Sequence, residues 1–387
     1  MLEIDQKTFE FYRDIRRKIH QNPETAFEEF QTAQLIGKCL NRLSIPFESG
    51  ICTTGIVAHI DSGRPGKCLV LRADMDALPV QEQNSCSYAS KVKGKMHACG
   101  HDVHVATLLL AADLLARQKS SFCGSVKLIF QPAEETTGGA QPMIDAGVLE
   151  EPKVDFAAGF HVNPDLAAGS ILAAQGPIMA SPDNFYMTLT GKGGHCATPY
   201  KNDDLIQAGT QIVSMLSSLC DKFVNPLHPS LITVCTFQTE GESPNVMPSK
   251  LHLSGSFRTF DQQTREFLGR QILECGKQGA KFYHVECDTQ IEYLYPPLVN
   301  HPELTQKMQQ SALKILPEDH VLTEFEPAMI GEDFSYFGSY VPSTYFYLGA
   351  KIPGHETALH APNFDVDETC MKTGAAVLAQ FAMDLLQ

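Results

Sequence analysis

Between His97 and His104 the chain reads His-Ala-Cys-Gly-His-Asp-Val-His, so three histidines, a cysteine and an aspartate fall within eight residues. Imidazole and thiolate are borderline and soft donors that suit zinc and similar divalent ions, and Gly100 supplies the backbone freedom that closely spaced ligands need. A lone loop histidine is ordinarily a hydrogen-bonded structural residue, so it is the clustering that points to metal. A helix is expected from Asp102 to Gln118, with Asp102 as its N-cap.

A second element, Phe130-Gln-Pro-Ala-Glu-Glu-Thr-Thr-Gly-Gly139, puts Glu134 and Glu135 directly after an apolar strand. Neighbouring side chains on an extended chain point to opposite sides, so one carboxylate can bind an ion while the other faces a substrate water. A Glu-Glu pair on a loop is usually just solvated. The strand end, with Pro and Gly-Gly beside it, sets this pair apart. His161 closes the apolar run from Phe156, and His360 lies in Ala358-Leu-His-Ala-Pro362 before a helix. Strand ends of one sheet are where α/β proteins gather ligands, and a bridged two-metal site would need these groups to converge there. Arg72-Ala-Asp74-Met-Asp76 closes another strand; Asp74 is suited either to hold a ligand histidine through its second ring nitrogen or to pair internally with Arg72. In Thr190-Gly-Lys-Gly-Gly-His195 a histidine follows a glycine-rich turn. Arg258 lies in an alternating strand, where it can bind a carboxylate bidentately or face solvent.

The elements that must position these residues are legible as alternation. Helical spacing covers Asp5 to His20 and Thr25 to Leu43. Strand-like runs follow at 55–60, 67–71, 125–130 and 156–161, with helices after Gly100 and after Gly138-Gly139. That order predicts an α/β fold with a mostly parallel sheet between two helical layers. From Asn184 to Glu292 the order becomes β-α-β-β-α-β, that of a ferredoxin-like sandwich, and one of its turns runs from Glu242 to Ser249. After Pro296 the first style resumes, with a helix at 302–316, a strand at 343–348 and a closing helix at 367–386. Residues 1–175 and 293–387 are therefore expected to form one body, and 176–292 an inserted domain.

Composition narrows the partners. The net charge of -15 would repel a phosphate backbone, and no basic run offers an exception, so nucleic acid is not expected. The longest greasy stretch, Leu108 to Ala116, is broken by Asp113 and is far shorter than the ~20 residues of a membrane span. With no apolar core near its N-terminus, the protein is expected to be cytoplasmic. Its 12 cysteines form no CxxC pair, which argues against both a disulfide framework and a zinc finger.

Taken in order, the motifs at 72–79, 97–102, 131–135, 159–161, 191–195, 244–248, 258–261, 331–334 and 359–362 resemble the M20 metallopeptidase clan. The likeness is to its amidohydrolase branch of N-acyl-amino-acid and hippurate-type hydrolases, which includes plant auxin-conjugate hydrolases. The resemblance implies a three-layer α/β/α catalytic domain with an inserted ferredoxin-like lid and dimerisation domain. It implies that Cys99, His101, Glu135, His161 and His360 hold two divalent ions of zinc, manganese, cobalt or nickel, with the thiolate bridging. It makes Glu134 the general base, Asp74 the carboxylate orienting His101, and His195 a lid group serving the partner subunit's active site of a homodimer. Asn245 and Arg258 become substrate-carboxylate or oxyanion contacts, and Gly331 a backbone contact. The implied reaction is hydrolysis of small N-acyl-amino acids. A dipeptidase or carboxypeptidase, or a catalytically silent binding protein on the same fold, are the alternatives. Tyr200 stands where many relatives have His, and Asn163 where many have Trp, which weakens transfer of substrate identity.

Overall fold

The computed structural model describes residues 2–136, 138–241 and 243–387; Thr137, next to the Glu-Glu pair, and Glu242, at the head of the expected turn, lie outside the described residues. The chain falls into two compact units, one built from residues up to Gly176, Asn300–Glu326 and Asp333–Gln387, the other from Pro177–Val299 and Pro327–Glu332. The border at 299/300 replaces the expected 292/293. The stretch Pro327–Glu332, expected in the larger body, groups with the smaller one. The cause is a backbone exchange, because Ala180 N–H donates to Ala328 O (3.1 Å) and Ala328 N–H to Ile178 O (3.0 Å).

In the larger unit, the strands Ser125–Gln131, Cys68–Asp74, Phe156–Ala167 and Ser343–Lys351 run parallel at the centre of an eight-stranded sheet. Gly55–Asp61 and Phe47–Ile51 extend one edge antiparallel, so the sheet is mixed. Cys68–Asp74 is buried along its whole length, as a strand covered on both faces must be. The two faces are visible in Ser343–Lys351. Phe346, Leu348 and Ala350 join a core shared with the helices Gln6–Gln21, His101–Arg117, Pro302–Leu313 and Cys370–Leu385. Tyr345 points the other way, onto Phe334, 5.1 Å between ring centroids, ahead of the short helix Ser335–Tyr340. Three layers result.

The helix His101–Arg117 is buried from His101 to Leu115 and apolar on nearly every side, so it lies inside the unit rather than on its surface. Its N-cap is Gly100, at φ 88°, and not Asp102 as the sequence suggested. A Cβ on Gly100 would sit 2.5 Å from Val162 Cγ2, so only glycine makes this approach. Asp102 falls in the first turn and turns to the N-terminal helix instead, with its Oδ2 2.7 Å from both Arg16 Nε and His20 Nδ1. The second expected helix is shorter, Phe30–Arg42. Ahead of it Phe27 is left-handed and donates its N–H to the Glu29 carboxylate, a local bond that competes with helix.

The smaller unit contains the strands Ser181–Thr190, Ser230–Thr239, Lys250–Thr259 and Glu286–Glu292 and the helices Leu205–Phe223 and Gln262–Phe282. Taken along the chain, its strands lie in the order 2-3-1-4, all antiparallel, the ferredoxin-like arrangement. Phe185, Leu189, Phe257, Ile212 and Ile272 are among its core residues. Among the described residues no helix is long and apolar enough to cross a membrane.

Candidate metal centre

Five side chains from four separate stretches of the larger unit, 99–101, 135, 161 and 360, come together around its parallel strands. Cys99 Sγ lies 3.2 Å from His161 Nε2, His360 Nε2 lies 3.3 Å from Glu135 Oε1, and His101 Nε2 lies 3.8 Å from the same oxygen. Three of the donor groups among the described residues are built from the expected ligands and Glu134: Cys99, His101 and His161; Cys99, Glu135 and His360; and His101, Glu134 and Glu135, each with donor atoms within 4.8 Å of one another. Cys99, His101 and Glu135 each serve in two groups, which is the overlap that neighbouring ions with a shared ligand need. His101 Nε2 is buried without a hydrogen-bond partner, a state that is costly unless a cation faces it, and Glu135 Oε1 beside it has only the 3.3 Å approach of His360. Thiolate, imidazole and carboxylate together suit a divalent transition metal.

The electrostatics agree. Burial, reinforced by the Glu135 and Glu134 carboxylates, pushes the Cys99 thiol well above its usual range. Burial alone would lower His101, but the Asp74, Asp76 and Glu135 carboxylates outweigh it and hold the imidazole up at about 10. Both groups thus keep their protons in the metal-free protein, and an ion entering the site must displace them.

Orientation of the rings departs from expectation. The carboxylate at the far nitrogen of His101 is Asp76, with Nδ1 3.2 Å from Asp76 Oδ1. Asp74, expected in that role, comes only within 3.8 Å of His101 Nε2; its Oδ1 instead accepts from His104 Nδ1 at 2.5 Å, and its Oδ2 from Arg72 at 2.6 Å. Since His104 Nε2 accepts the Val162 N–H (3.0 Å), the proton of that ring sits on Nδ1 and both nitrogens are engaged, so His104 is not a ligand. His161 donates from Nδ1 to its neighbour's carbonyl, Val162 O, at 2.8 Å, which turns Nε2 toward Cys99. His97 is buried with neither ring nitrogen hydrogen-bonded, and burial pushes its pKa down to about 3. Of the three clustered histidines, His97 joins no donor group among the described residues, His104 falls in one with Asp74 and His101 but has both nitrogens engaged, and only His101 joins a group with a ring nitrogen left to coordinate.

Two backbone features hold the ligands. Asp76 Oδ1 also accepts the Glu134 N–H (3.1 Å), and its Oδ2 accepts the Glu135 N–H (3.0 Å), so one carboxylate fixes a ring and both glutamates. His360 is left-handed, at φ 66°, and its N–H donates to Ala98 O (2.8 Å), which ties the C-terminal loop to the residue before Cys99. Asp76 was within reach of sequence reasoning, two residues beyond Asp74, but nothing in the spacing favours one over the other. His161, expected at a strand end, lies inside Phe156–Ala167, paired with Tyr347.

His195, Asn245, Arg258 and Gly331 belong to the smaller unit. His195 is exposed in a two-residue ladder with Val246–Met247, and its Nδ1 accepts the Ala197 N–H at 3.1 Å. The neighbouring Asn245 carbonyl accepts the Cys196 N–H (3.1 Å). Arg258 is half-buried in Lys250–Thr259 and paired with Leu231 and Pro182. Gly331 packs so closely on Pro182 that a Cβ would lie 2.6 Å from its ring.

A model of peptidase family M20/M25/M40 matches residues 70–384 of this chain. The chain belongs to that family. It is 39% identical over 380 residues to thermostable carboxypeptidase 2 of Saccharolobus solfataricus, covering 95% of this chain and 94% of the relative. It is 35% identical over 372 residues to the N-acetyl-L-cysteine deacetylase of Bacillus subtilis, covering 96% and 87%. Among solved structures, a Bacillus subtilis dinuclear metal-binding peptidase of family M20 superposes with a TM-score of 0.87 at 30% identity, covering 99% of each chain. Like its M20 relatives, this chain is a hydrolase of amide bonds.

Proposed function

We propose that this M20 enzyme hydrolyses the amide bond of small N-acyl-amino acids, in the cytoplasm and as a homodimer, using two divalent ions held by Cys99, His101, Glu135, His161 and His360. The observation that carries the reading is the overlap of the donor groups around Glu135 with Glu134 beside them. Bound there, the ions supply Lewis acidity, polarising the scissile carbonyl and bringing the pKa of water down from ~15.7 toward neutrality. Glu134 takes the proton of the attacking water and returns it to the departing amine. Glu135, one residue on, is committed to holding metal. Asp76 keeps the Nδ1 proton of His101 in place, so that Nε2 stays free to coordinate. His195, Asn245, Arg258 and Gly331 carry the substrate-side roles of this proposal, Arg258 by pairing with a substrate carboxylate and His195 by donating to the developing oxyanion.

The test is a panel of N-acetyl- and N-benzoyl-amino acids beside dipeptides and longer peptides, each with zinc, manganese, cobalt or nickel. Turnover of the acylated amino acids with the peptides untouched supports the proposal. Cleavage of free peptides alone supports the second reading, a carboxypeptidase, which the 39%-identical Saccharolobus relative favours.

A further inference from the structure

Ala133, immediately before the two glutamates, has φ 58°, a left-handed conformation that an alanine adopts only when its surroundings impose it. Its N–H donates to Glu29 Oε1 at 3.1 Å. Glu29 stands 104 positions earlier in the chain and is fully buried, 0% exposed. The same oxygen accepts the Phe27 N–H (3.0 Å), and the other accepts the Thr54 hydroxyl (2.6 Å), so the carboxylate is itself held from two sides. Although Glu29 is the N-cap residue of Phe30–Arg42, its side chain makes no cap bond to that helix. It reaches away from the helix, to the loop that carries the glutamates.

The consequence appears when the loop is read residue by residue. Three consecutive amides, those of Ala133, Glu134 and Glu135, donate to two buried carboxylates, the first to Glu29 and the next two to Asp76. Asp76 holds the peptides of the glutamates themselves, but the direction in which Glu134 leaves the strand depends on the turn before it. That turn is Ala133, and among these bonds the one that fixes its amide comes from Glu29. Gly138 N–H closes the far side onto Ala133 O (3.1 Å), so the residue is pinned at both its amide and its carbonyl.

We propose that Glu29 is a positioning residue for Glu134, acting through the amide of Ala133. The inference rests on the reading of Glu134 as the general base. Glu29 has no donor group in the metal cluster and meets no substrate; its contribution is to hold the loop in the left-handed turn that aims the base. Loss of this bond should move the base rather than the ions or the substrate. Turnover would then suffer while metal content and substrate affinity stay as they were, since a displacement of about 1 Å in a catalytic group costs ~10²-fold.

The test uses the full-length, metal-loaded enzyme with whichever substrate of the panel it turns over best. Glu29→Ala is expected to lower kcat ~10- to 100-fold with KM and metal stoichiometry unchanged. Glu29→Gln keeps an oxygen for the Phe27 and Ala133 amides and presents its NH₂ to the Thr54 oxygen, so it should recover most of the lost kcat. Adding Ala133→Gly to Glu29→Ala should recover part of it, because glycine takes the left-handed turn without help. If Glu29→Ala does not fold, Glu29→Asp, which keeps the charge but is one methylene shorter, is measured in its place with the same expectation. The proposal is overturned if the truncated variant keeps kcat within threefold, if activity falls only in step with lost metal, or if Glu29→Gln is as impaired as Glu29→Ala. Glu134→Gln is run in parallel: a Glu134→Gln enzyme that still turns over defeats the base assignment, whereas a dead one beside a fully active Glu29→Ala defeats only the role of Glu29.

Discussion

Replacing Asp76 by Asn is the sharpest probe of the centre, because one carboxylate serves three donors there. In the native protein Oδ1 accepts from His101 Nδ1 (3.2 Å) and Glu134 N–H (3.1 Å), and Oδ2 accepts from Glu135 N–H (3.0 Å). An asparagine has only one oxygen. Whichever way its amide is turned, the NH₂ faces at least one of these N–H groups, donor against donor. A hydrogen bond to a charged group contributes ~1.5–3 kcal/mol, and the group left facing a donor loses about as much again. The ring of His101 loses the anion that keeps its proton on Nδ1, and removing such a support typically weakens metal binding 10- to 100-fold, or ~1.4–2.8 kcal/mol. The variant should therefore bind zinc 10- to 100-fold more weakly in competition with a chromogenic chelator at fixed pH. Its metal-free form should also melt lower than the native apo protein. Asp74→Asn is the matched control, since it touches His104 and the fully buried Arg72 and leaves His101 Nδ1 alone. It should cost ~1–3 kcal/mol of stability with a smaller change in metal affinity. An Asp76→Asn protein that binds zinc within threefold of native, while Asp74→Asn loses it, would show that the roles of the two aspartates have been read the wrong way round.

Three further outcomes are expected. Glu134→Gln should retain full metal stoichiometry by elemental analysis and lose ~10²- to 10⁴-fold in kcat, the usual contribution of a general base; retained turnover would remove Glu134 from the mechanism. Because His101 is raised from its ordinary 6.5 to about 10 in the metal-free protein, its pairing with Asp74, Asp76 and Glu135 stabilises the fold fully below pH 6.5. That stability drains away as pH rises toward 10. Protonation of the buried Cys99 thiol adds a loss of the same sign at the upper end. Thermal melts of the apo protein should thus fall across this window, and melts of the metal-loaded protein, already deprotonated at both ligands, should not; parallel curves would contradict it. Gly100→Ala should destabilise the protein by about 1–3 kcal/mol in urea titrations, since φ 88° and a 2.5 Å approach to Val162 leave no room for a methyl group; an unchanged midpoint would mean the turn relaxes freely.

Much of the centre is written in local patterns. A run such as Cys68–Asp74 or Ser125–Gln131 is apolar enough to be a buried strand wherever it is placed, and the loop after it is where a carboxylate or imidazole can face a ligand. That is why the 97–104 cluster, the Glu134-Glu135 pair, His161 and His360 stood out along the chain, while it took the resemblance to the M20 clan to choose Cys99, His101, Glu135, His161 and His360 among them, and why the switch to β-α-β-β-α-β marked a second unit. The donors' chemistry is a property of their side chains, and needs no fold to be recognised.

Which nitrogen meets which oxygen is a different kind of fact. Asp74 and Asp76 have the same side chain two positions apart, and only the end of the strand at Asp74 turns one toward His104 and the other toward His101 and the glutamate amides. His97, His101 and His104 look alike in sequence and are all buried; their partners separate them, with both His104 nitrogens taken by Asp74 and the Val162 amide, neither His97 nitrogen hydrogen-bonded, and His101 held by Asp76. Glu29 reads as an ordinary acidic residue at a helix start until the fold brings the Ala133 amide to it. Side-chain type and short-range periodicity settle what each residue can do, because they act within a few positions. Pairings across 25 to 104 residues depend on where packing leaves two groups, and they were decided only when the core closed.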